Sequence, residues 1–220
     1  MDENVLIIFP AYNEEKNIEN VLKEAKKYYK NIVVVDDGSK DKTFEIAKKY
    51  TKKVLKHEKN KGKAEAIKTA LLKNLNKYEI FVVADSDGQY SVKDSLKMIE
   101  LVKKGYDVVF GYRDFSKIPF RHKLGNKFLR FLFNFLFCKK MKDVACGYFA
   151  FNKKFAKSLI KKIHGGYILE ASVLLNAIKN NFKITQVKVN VKYKKIASII
   201  KGIRVVGAIS IFLIKSRFFR

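Results

Sequence analysis

At 220 residues, 48% apolar and 31% charged, with 2 Pro and 11 Gly, the chain suits one large domain or one domain with an appendage, and excludes a disordered, collagen-like or linker-rich protein. Its net charge of +26 is unevenly held: residues 1–115 carry 23 Lys and Arg against 19 acids, whereas residues 116–220 carry 24 against 2, together with 13 of the 18 Phe. A surface both cationic and aromatic suits an anionic membrane or a nucleic acid, although lysine supplies 41 of the 47 cations, a bias that coding preference or adaptation to heat also produces.

In chain order, the first half predicts strands alternating with helices. Val5–Phe9, Ile32–Asp36, Lys53–Leu55, Ile80–Ala84 and Val108–Phe110 are short apolar runs without period-2 alternation, as in strands covered on both faces. Helical patterns over Glu15–Tyr28, Lys42–Tyr50, Lys63–Leu75 and Val92–Lys103 separate them, the last opening on Ser91-x-x-Asp94, a capping-box spacing. This rhythm predicts an α/β fold with a mostly parallel sheet and helices on both faces. The second half predicts an aromatic helix over Phe120–Phe137, an apolar run at Gly147–Phe151, a helix from Tyr167 to Asn180 and an alternating strand at Val187–Tyr193. The closing stretch Ile196–Arg220 holds an uncharged run of ten residues, Val205–Ile214, against the ~20 that a spanning helix needs. Cys138 and Cys146 form no C-x-x-C pair and no basic-apolar leader follows Met1, so the expected compartment is the cytosol, without a disulfide scaffold.

In an open α/β sheet ligands sit beyond the carboxyl ends of the strands. Those positions hold Pro10-Ala-Tyr-Asn-Glu14, Asp36-Asp-Gly-Ser39, Asp85-Ser-Asp-Gly-Gln89 and Gly111-Tyr-Arg113. Asp85 and Asp87, one residue apart at a strand end, can both turn toward a divalent ion, with Gln89 adding an oxygen; this suits Mg²⁺ or Mn²⁺, although acids are also common in turns. An EF-hand is excluded, since its Gly and closing Glu would fall on Tyr90 and Leu96. Asp36 and Asp37 could accept hydrogen bonds from a ribose hydroxyl or a base N–H, or simply form a turn and helix start with Gly38 and Ser39. Lys63 follows Gly62 as in a P-loop, but the first glycine of that motif falls on His57, and no dinucleotide-binding glycine fingerprint occurs. Asp143 and Glu170, the two acids of the second half, call for specific partners, either in an ion pair or in catalysis. The three histidines lack metal-ligand spacing, and nothing supports a nucleophilic serine or cysteine.

Taken in order, Pro10-Ala-Tyr-Asn-Glu14, Val33–Ser39, Asn60-x-Gly-Lys63 and Val82–Gln89 resemble the family 2 glycosyltransferases of the GT-A fold. With Gly111-Tyr-Arg113, Arg121, Asp143-x-x-x-Gly147-Tyr148 and Tyr167-x-x-Glu170, the chain is similar to the dolichyl- or polyprenyl-phosphate sugar transferases over Asn4–Tyr193. The resemblance implies that Pro10, Tyr12, Glu14 and Asp36, with Asp37 and Lys63, hold the nucleotide sugar, and that Asp85, Asp87 and Gln89 hold a metal on its diphosphate. Asp87, Arg113 and Arg121 would serve catalysis, the arginines receiving the phosphate of a lipid acceptor, with Asp143, Glu170 and Lys195 on the acceptor side. A phosphate is already anionic near neutral pH, so no general base is required. Two departures stand out: Phe149 replaces an arginine of the relatives, and Lys194-Lys-Ile-Ala-Ser198 puts lysine for arginine in a late motif. The absence of Trp removes the Q-x-x-R-W motif of processive synthases.

The implied activity is a metal-dependent, inverting transfer of a hexose from GDP-mannose or UDP-glucose to a polyprenyl phosphate. Residues 1–115 would form the nucleotide-sugar half and 116–195 the acceptor half of one catalytic domain. The stripe Leu124, Phe128, Phe131 and Phe135, flanked by Lys123, Lys127 and Arg130, and the basic apolar tail 196–220 would be amphipathic helices lying on an anionic membrane, placing the protein on the cytoplasmic face of the cell membrane. In the alternative the stripe is ordinary core. Transfer to a glycan or a protein is a second enzyme reading. A basic nucleic-acid-binding module is the rival of another class; it predicts salt-sensitive single-strand binding and leaves Asp85-Ser-Asp87 unexplained.

Overall fold

The computed structural model describes residues 2–116, 120–192 and 199–219, without the side chains of residues 120–122 and 199–201. Along the chain run β1 (Val5–Ala11), α1 (Ile18–Ala25), β2 (Asn31–Asp36), α2 (Thr43–Tyr50), β3 (Val54–Lys56), α3 (Lys63–Asn74), β4 (Ile80–Val83) and α4 (Ser95–Lys103). There follow β5 (Val108–Arg113), α5 (Phe120–Phe137), β6 (Phe149–Asn152), α6 (Lys153–Lys162), α7 (Leu169–Lys179), β7 (Ile184–Val189) and α8 (Ile199–Phe218). The strands form one sheet in the order β3-β2-β1-β4-β6-β5-β7, parallel except for β6, which runs antiparallel to β4 and β5. The predicted mostly parallel α/β sheet is therefore observed.

Continuous apolar runs explain the central strands. In β1, Leu6 and Ile8 face α3 and the second-half helices, whereas Val5, Ile7 and Phe9 face α1, α2 and α4. Both faces of the strand are buried, so no polar alternation is required. On the first side Phe81, Phe149 and Phe151 stack with Phe155 of α6 behind them; such aromatic contacts add about 0.5–1.5 kcal/mol per pair beyond the buried area.

Several local expectations differ. The first helix begins at Ile18 because the preceding loop is tied elsewhere: the Glu14 amide donates to Thr43 Oγ1 at 2.7 Å and the Glu15 amide to Asp41 Oδ2 at 3.1 Å. The capping box at Ser91 is not formed. Ser91 Oγ donates to Glu24 Oε1 instead, and Asp94 accepts from the Asn190 amide at 2.6 Å, linking α4 to the end of β7. The last strand is centred earlier than its Val-x-Val-x-Val alternation suggests, with Val191 retained only in a bridge to Tyr90. Helix α6 was not expected; its signal is Asn152, whose side chain accepts from the Phe155 amide at 2.9 Å as an N-cap.

Helix α5 has the predicted bounds, with Leu129, Phe133 and Leu136 in the core. Leu124, Phe128, Phe131 and Phe135 are 48–71% exposed, so the stripe is not core. Helix α8 packs on α5 and buries Ile209 and Leu213 in the same core, while Ile203, Ile211 and Phe218 face solvent. Among the described residues no helix is long and apolar enough to cross a membrane.

Candidate active site

Strand register delivers the site to one rim. Asp36 ends β2 level with Ala11, and Val83 ends β4 opposite Phe149. Antiparallel pairing therefore sets Gly147, two residues before Phe149, beside Asp85, two residues after Val83. An added Cβ at Gly147 would lie 2.6 Å from Lys63 Nζ, 3.0 Å from Asp85 Oδ2 and 3.1 Å from Glu170 Oε1. Glycine here lets three charged groups close on its backbone.

Lys63, the first residue of α3, bridges two carboxylates from distant parts of the chain: Asp85 Oδ1 at 2.5 Å and Glu170 Oε1, in the first turn of α7, at 3.1 Å. Burial pulls the Lys63 ammonium toward neutrality, but the two carboxylates outweigh it and hold its pKa above the ordinary lysine value. It is a cation at all physiological pH. Asp87 accepts the Gln89 amide on Oδ1 at 2.9 Å, which folds the Asp85–Gln89 turn, while Ser86 Oγ donates to the Pro10 carbonyl and ties that turn to the end of β1.

The two aspartates after β2 play different parts. Asp36 is fully buried; its Oδ1 accepts the Ser39 amide at 3.3 Å and its Oδ2 has no hydrogen-bond partner among the described residues. An unsatisfied buried acceptor costs about 1–3 kcal/mol, which a ligand donor would recover. Asp37 is committed within the chain: its Oδ1 lies 2.6 Å from His57 Nδ1 and accepts the Lys61 amide, and its Oδ2 accepts the Gly62 amide at 2.7 Å. It acts by holding the loop that leads to Lys63. Gly38, at φ +74°, touches this loop so closely that a Cβ would lie 2.6 Å from the Lys59 carbonyl carbon.

Pro10 is the penultimate residue of β1, and Tyr12 and Glu14 follow in the loop after it. Tyr12 is exposed, and Glu14 Oε2 accepts from Asn17 Nδ2 at 2.7 Å. Asn13, at φ +55°, accepts the Lys40 amide and donates its own amide to Ser39 Oγ, locking this loop to the one after β2.

Arg113, at the end of β5, donates from Nε to Asp143 Oδ2 at 2.7 Å and from Nη2 to Asp143 Oδ1 at 3.0 Å. Its Nη2 also reaches Asn126 of α5 at 3.3 Å. Asp143 is almost fully buried and additionally accepts the backbone amides of Arg113 and Ala145. The expectation of a specific partner for each second-half acid thus has an answer in both cases: Arg113 for Asp143 and Lys63 for Glu170. Behind them Cys146 and Tyr90 are in contact at 3.6 Å, and burial pushes the Cys146 thiol up to about 12. The Arg121 side chain and all of Lys195 lie outside the described residues.

The structure brings Asp85 together with Lys63, Gly147 and Glu170, and puts Asp36 and Arg113 on the same rim. The pairing of Lys63 with Glu170 spans 107 residues and had no local signal; Gly147 was visible only as part of a motif. Gly147→Ala is expected to fold with a near wild-type melting temperature, because the atoms it displaces are the ends of flexible side chains, yet to lose ~10²-fold in turnover, the scale of a 1 Å misplacement of reacting groups. Calorimetric melting and steady-state kinetics on the same preparation check both halves.

The family model described as glycosyl transferase family 2 matches residues 6–160. The chain is 32% identical to the UDP-N-acetylglucosamine–dolichyl-phosphate N-acetylglucosaminyltransferase of Methanococcus voltae, over 96% of this chain and 94% of that protein. It is also 32% identical to the dolichol-phosphate mannosyltransferase of Pyrococcus furiosus, over 68% of this chain and 46% of that protein. Among solved structures, glucosyl-3-phosphoglycerate synthase of Mycobacterium tuberculosis superposes with a TM-score of 0.81 over 98% of this chain and 80% of that one, at 20% identity. That is a likeness of fold. The same enzyme has been solved with Mn²⁺, UDP-glucose and phosphoglyceric acid.

Proposed function

The chain belongs to glycosyl transferase family 2 and is a glycosyltransferase of the GT-A fold, and from that premise we propose that it transfers a sugar from a nucleoside-diphosphate sugar to a polyprenyl or dolichyl phosphate at a membrane surface, with inversion. The observation that carries the donor half is the Lys63–Asp85–Glu170 cluster packed on Gly147, on the same rim as the unsatisfied oxygen of Asp36.

Asp36 Oδ2, level with the end of β1 and the Tyr12–Glu14 loop that follows it, would accept from the nucleoside. Asp85, Asp87 and Gln89 offer hard oxygens of the kind Mg²⁺ and Mn²⁺ take. No three His, Cys, Asp or Glu side chains among the described residues converge into a closed metal cage, so the donor's diphosphate would complete the shell, and a bound divalent ion would neutralise the leaving group. Lys63 supplies a further cation beside that diphosphate, held in place by Asp85 and Glu170. The acceptor phosphate oxygen attacks the sugar's anomeric carbon as the bond to the leaving diphosphate breaks. Arg113, oriented by Asp143, and Arg121 would position the incoming phosphate.

The acceptor half of the reading is supported by similarity to dolichyl-phosphate transferases and by the outward-facing apolar stripe of α5 among basic residues. That stripe and the outer side of α8 would seat the protein peripherally on the cytoplasmic leaflet, where anionic lipid attracts the basic second half. The test is a transfer assay with labelled nucleotide sugars, Mn²⁺ and either polyprenyl phosphate or a water-soluble phosphate ester. Label entering the organic phase only with the lipid supports the reading. Label transferred only to the soluble ester, or to neither acceptor, overturns it.

A further inference from the structure

A second basic feature lies farther along the same rim, beyond the Arg113–Asp143 pair that the proposed function places at the acceptor phosphate. A pocket of about 250 Å³ opens at the carboxyl ends of β5 and β7, under the edge of α5. Tyr112 and Phe115 form its aromatic walls, and Arg130, Lys142 and Lys188 are its cations besides Arg113. Counting along the sheet, β6 lies between β4 and β5, so the pocket is about 10 Å from the strand that bears Asp85 at the usual interstrand spacing.

Its charges do not balance. Arg113 is matched by Asp143, and Lys188 by Asp114 at 2.8 Å. Arg130 stacks over Phe115 at 5.5 Å and Lys142 over Tyr112 at 4.6 Å. A cation on an aromatic face keeps its N–H groups for another acceptor. Among the described residues two positive charges therefore face the pocket with ring partners only, and a guanidinium beside an ammonium is a combination that recognises phosphate. The Lys142 backbone is held by its amide donating to Gln186 Oε1 at 2.6 Å, so this cation is set on a fixed edge.

We propose that this pocket is a second anion site that takes a phosphate group, with Arg130 and Lys142 as its principal ligands and Asp114 as the acid that limits its affinity. The phosphate could be that of an anionic lipid headgroup, since Arg130 lies on α5 between the exposed Phe128 and Phe131, or that of a soluble ester. Neither source depends on the nature of the sugar acceptor.

The test has two arms. Calorimetric titration with glycerol phosphate measures the soluble ligand; sedimentation with phosphatidylcholine vesicles, plain or doped with phosphatidic acid, measures the headgroup. Arg130→Gln/Lys142→Gln is expected to weaken binding at least ~10-fold, the scale of one charged hydrogen bond. Asp114→Asn should tighten it several-fold, whereas Lys139→Gln/Lys140→Gln, which removes two exposed lysines outside the pocket, should leave it unchanged. The same order in the vesicle arm identifies the lipid as the source, and the order in the titration alone identifies the soluble ester. Absence of saturable binding in both arms, an equal loss in the control variant, or weaker binding by Asp114→Asn overturns the proposal.

Discussion

Asp85→Asn is expected to lower sugar transfer by about 10²–10³-fold, the cost of deleting one preorganised electrostatic contact in a transition state, with little effect on the fold. Asparagine keeps the volume of the side chain but removes its charge. Lys63 then keeps only Glu170 as its counter-charge, and the rim loses a hard oxygen for a divalent ion. Because Asp85 is about a quarter exposed and lies in a turn, the melting temperature should move by no more than a few degrees. Steady-state kinetics across a Mn²⁺ series separate the causes. A variant rescued by excess Mn²⁺ has lost metal affinity, and one that is not has also lost the position of Lys63. Wild-type turnover would remove Asp85 from the site.

Asp143→Ala should have the larger effect on stability. Removing this carboxylate strands the Arg113 guanidinium, itself only 15% exposed, and leaves the amides of Arg113 and Ala145 without their acceptor. Breaking one side of a buried ion pair costs about 3–5 kcal/mol, and with Arg113 partly wetted the lower end applies. In a chain of this size about 3 kcal/mol corresponds to a fall in melting temperature of roughly 6–12 °C. Replacing both partners by apolar residues, as in Arg113→Met/Asp143→Leu, should recover much of the loss, because no unpaired charge remains. A double variant as unstable as the single one would show that the residues act separately. Denaturant unfolding of the three proteins decides it.

How much was legible in the sequence depends on the distance over which the signal acts. The strands β1, β2, β4 and β5 announce themselves because burial on both faces demands unbroken apolar runs, and their ends carry Asp36, Asp85 and Arg113 in chain order. Position at a strand end is a local property. The antiparallel insertion of β6 is not: it follows from a chain reversal through residues 138–148 that no period encodes, and it alone brings Gly147 to Asp85. Lys63 follows Gly62 as in a phosphate loop that His57 rules out, and its partners Asp85 and Glu170 come from two other elements. Asp37 and Asp36 are adjacent and chemically identical, and only the fold of the loop at residues 57–62 separates the one that holds structure from the one left unsatisfied. The Ser91 capping box matched its spacing but lost to Glu24, a tertiary competitor. The aromatic stripe of α5 lies on a helix as its spacing predicts, yet its exposure is set by the tertiary packing of α5 and α8, whose Ile209 and Leu213 join Leu129, Phe133 and Leu136 in one core.

The rim of Asp36, Asp85 and Gly147 is expected to hold a nucleoside-diphosphate sugar through a divalent ion. Isothermal titration of the protein with UDP- and GDP-sugars, with Mn²⁺ and then with EDTA in its place, is the measurement that decides it. The expected result is 1:1 binding of one nucleotide class that requires the metal and is lost in Asp85→Asn. Binding of equal strength in EDTA, or no binding of any nucleotide sugar with Mn²⁺ present, would contradict it.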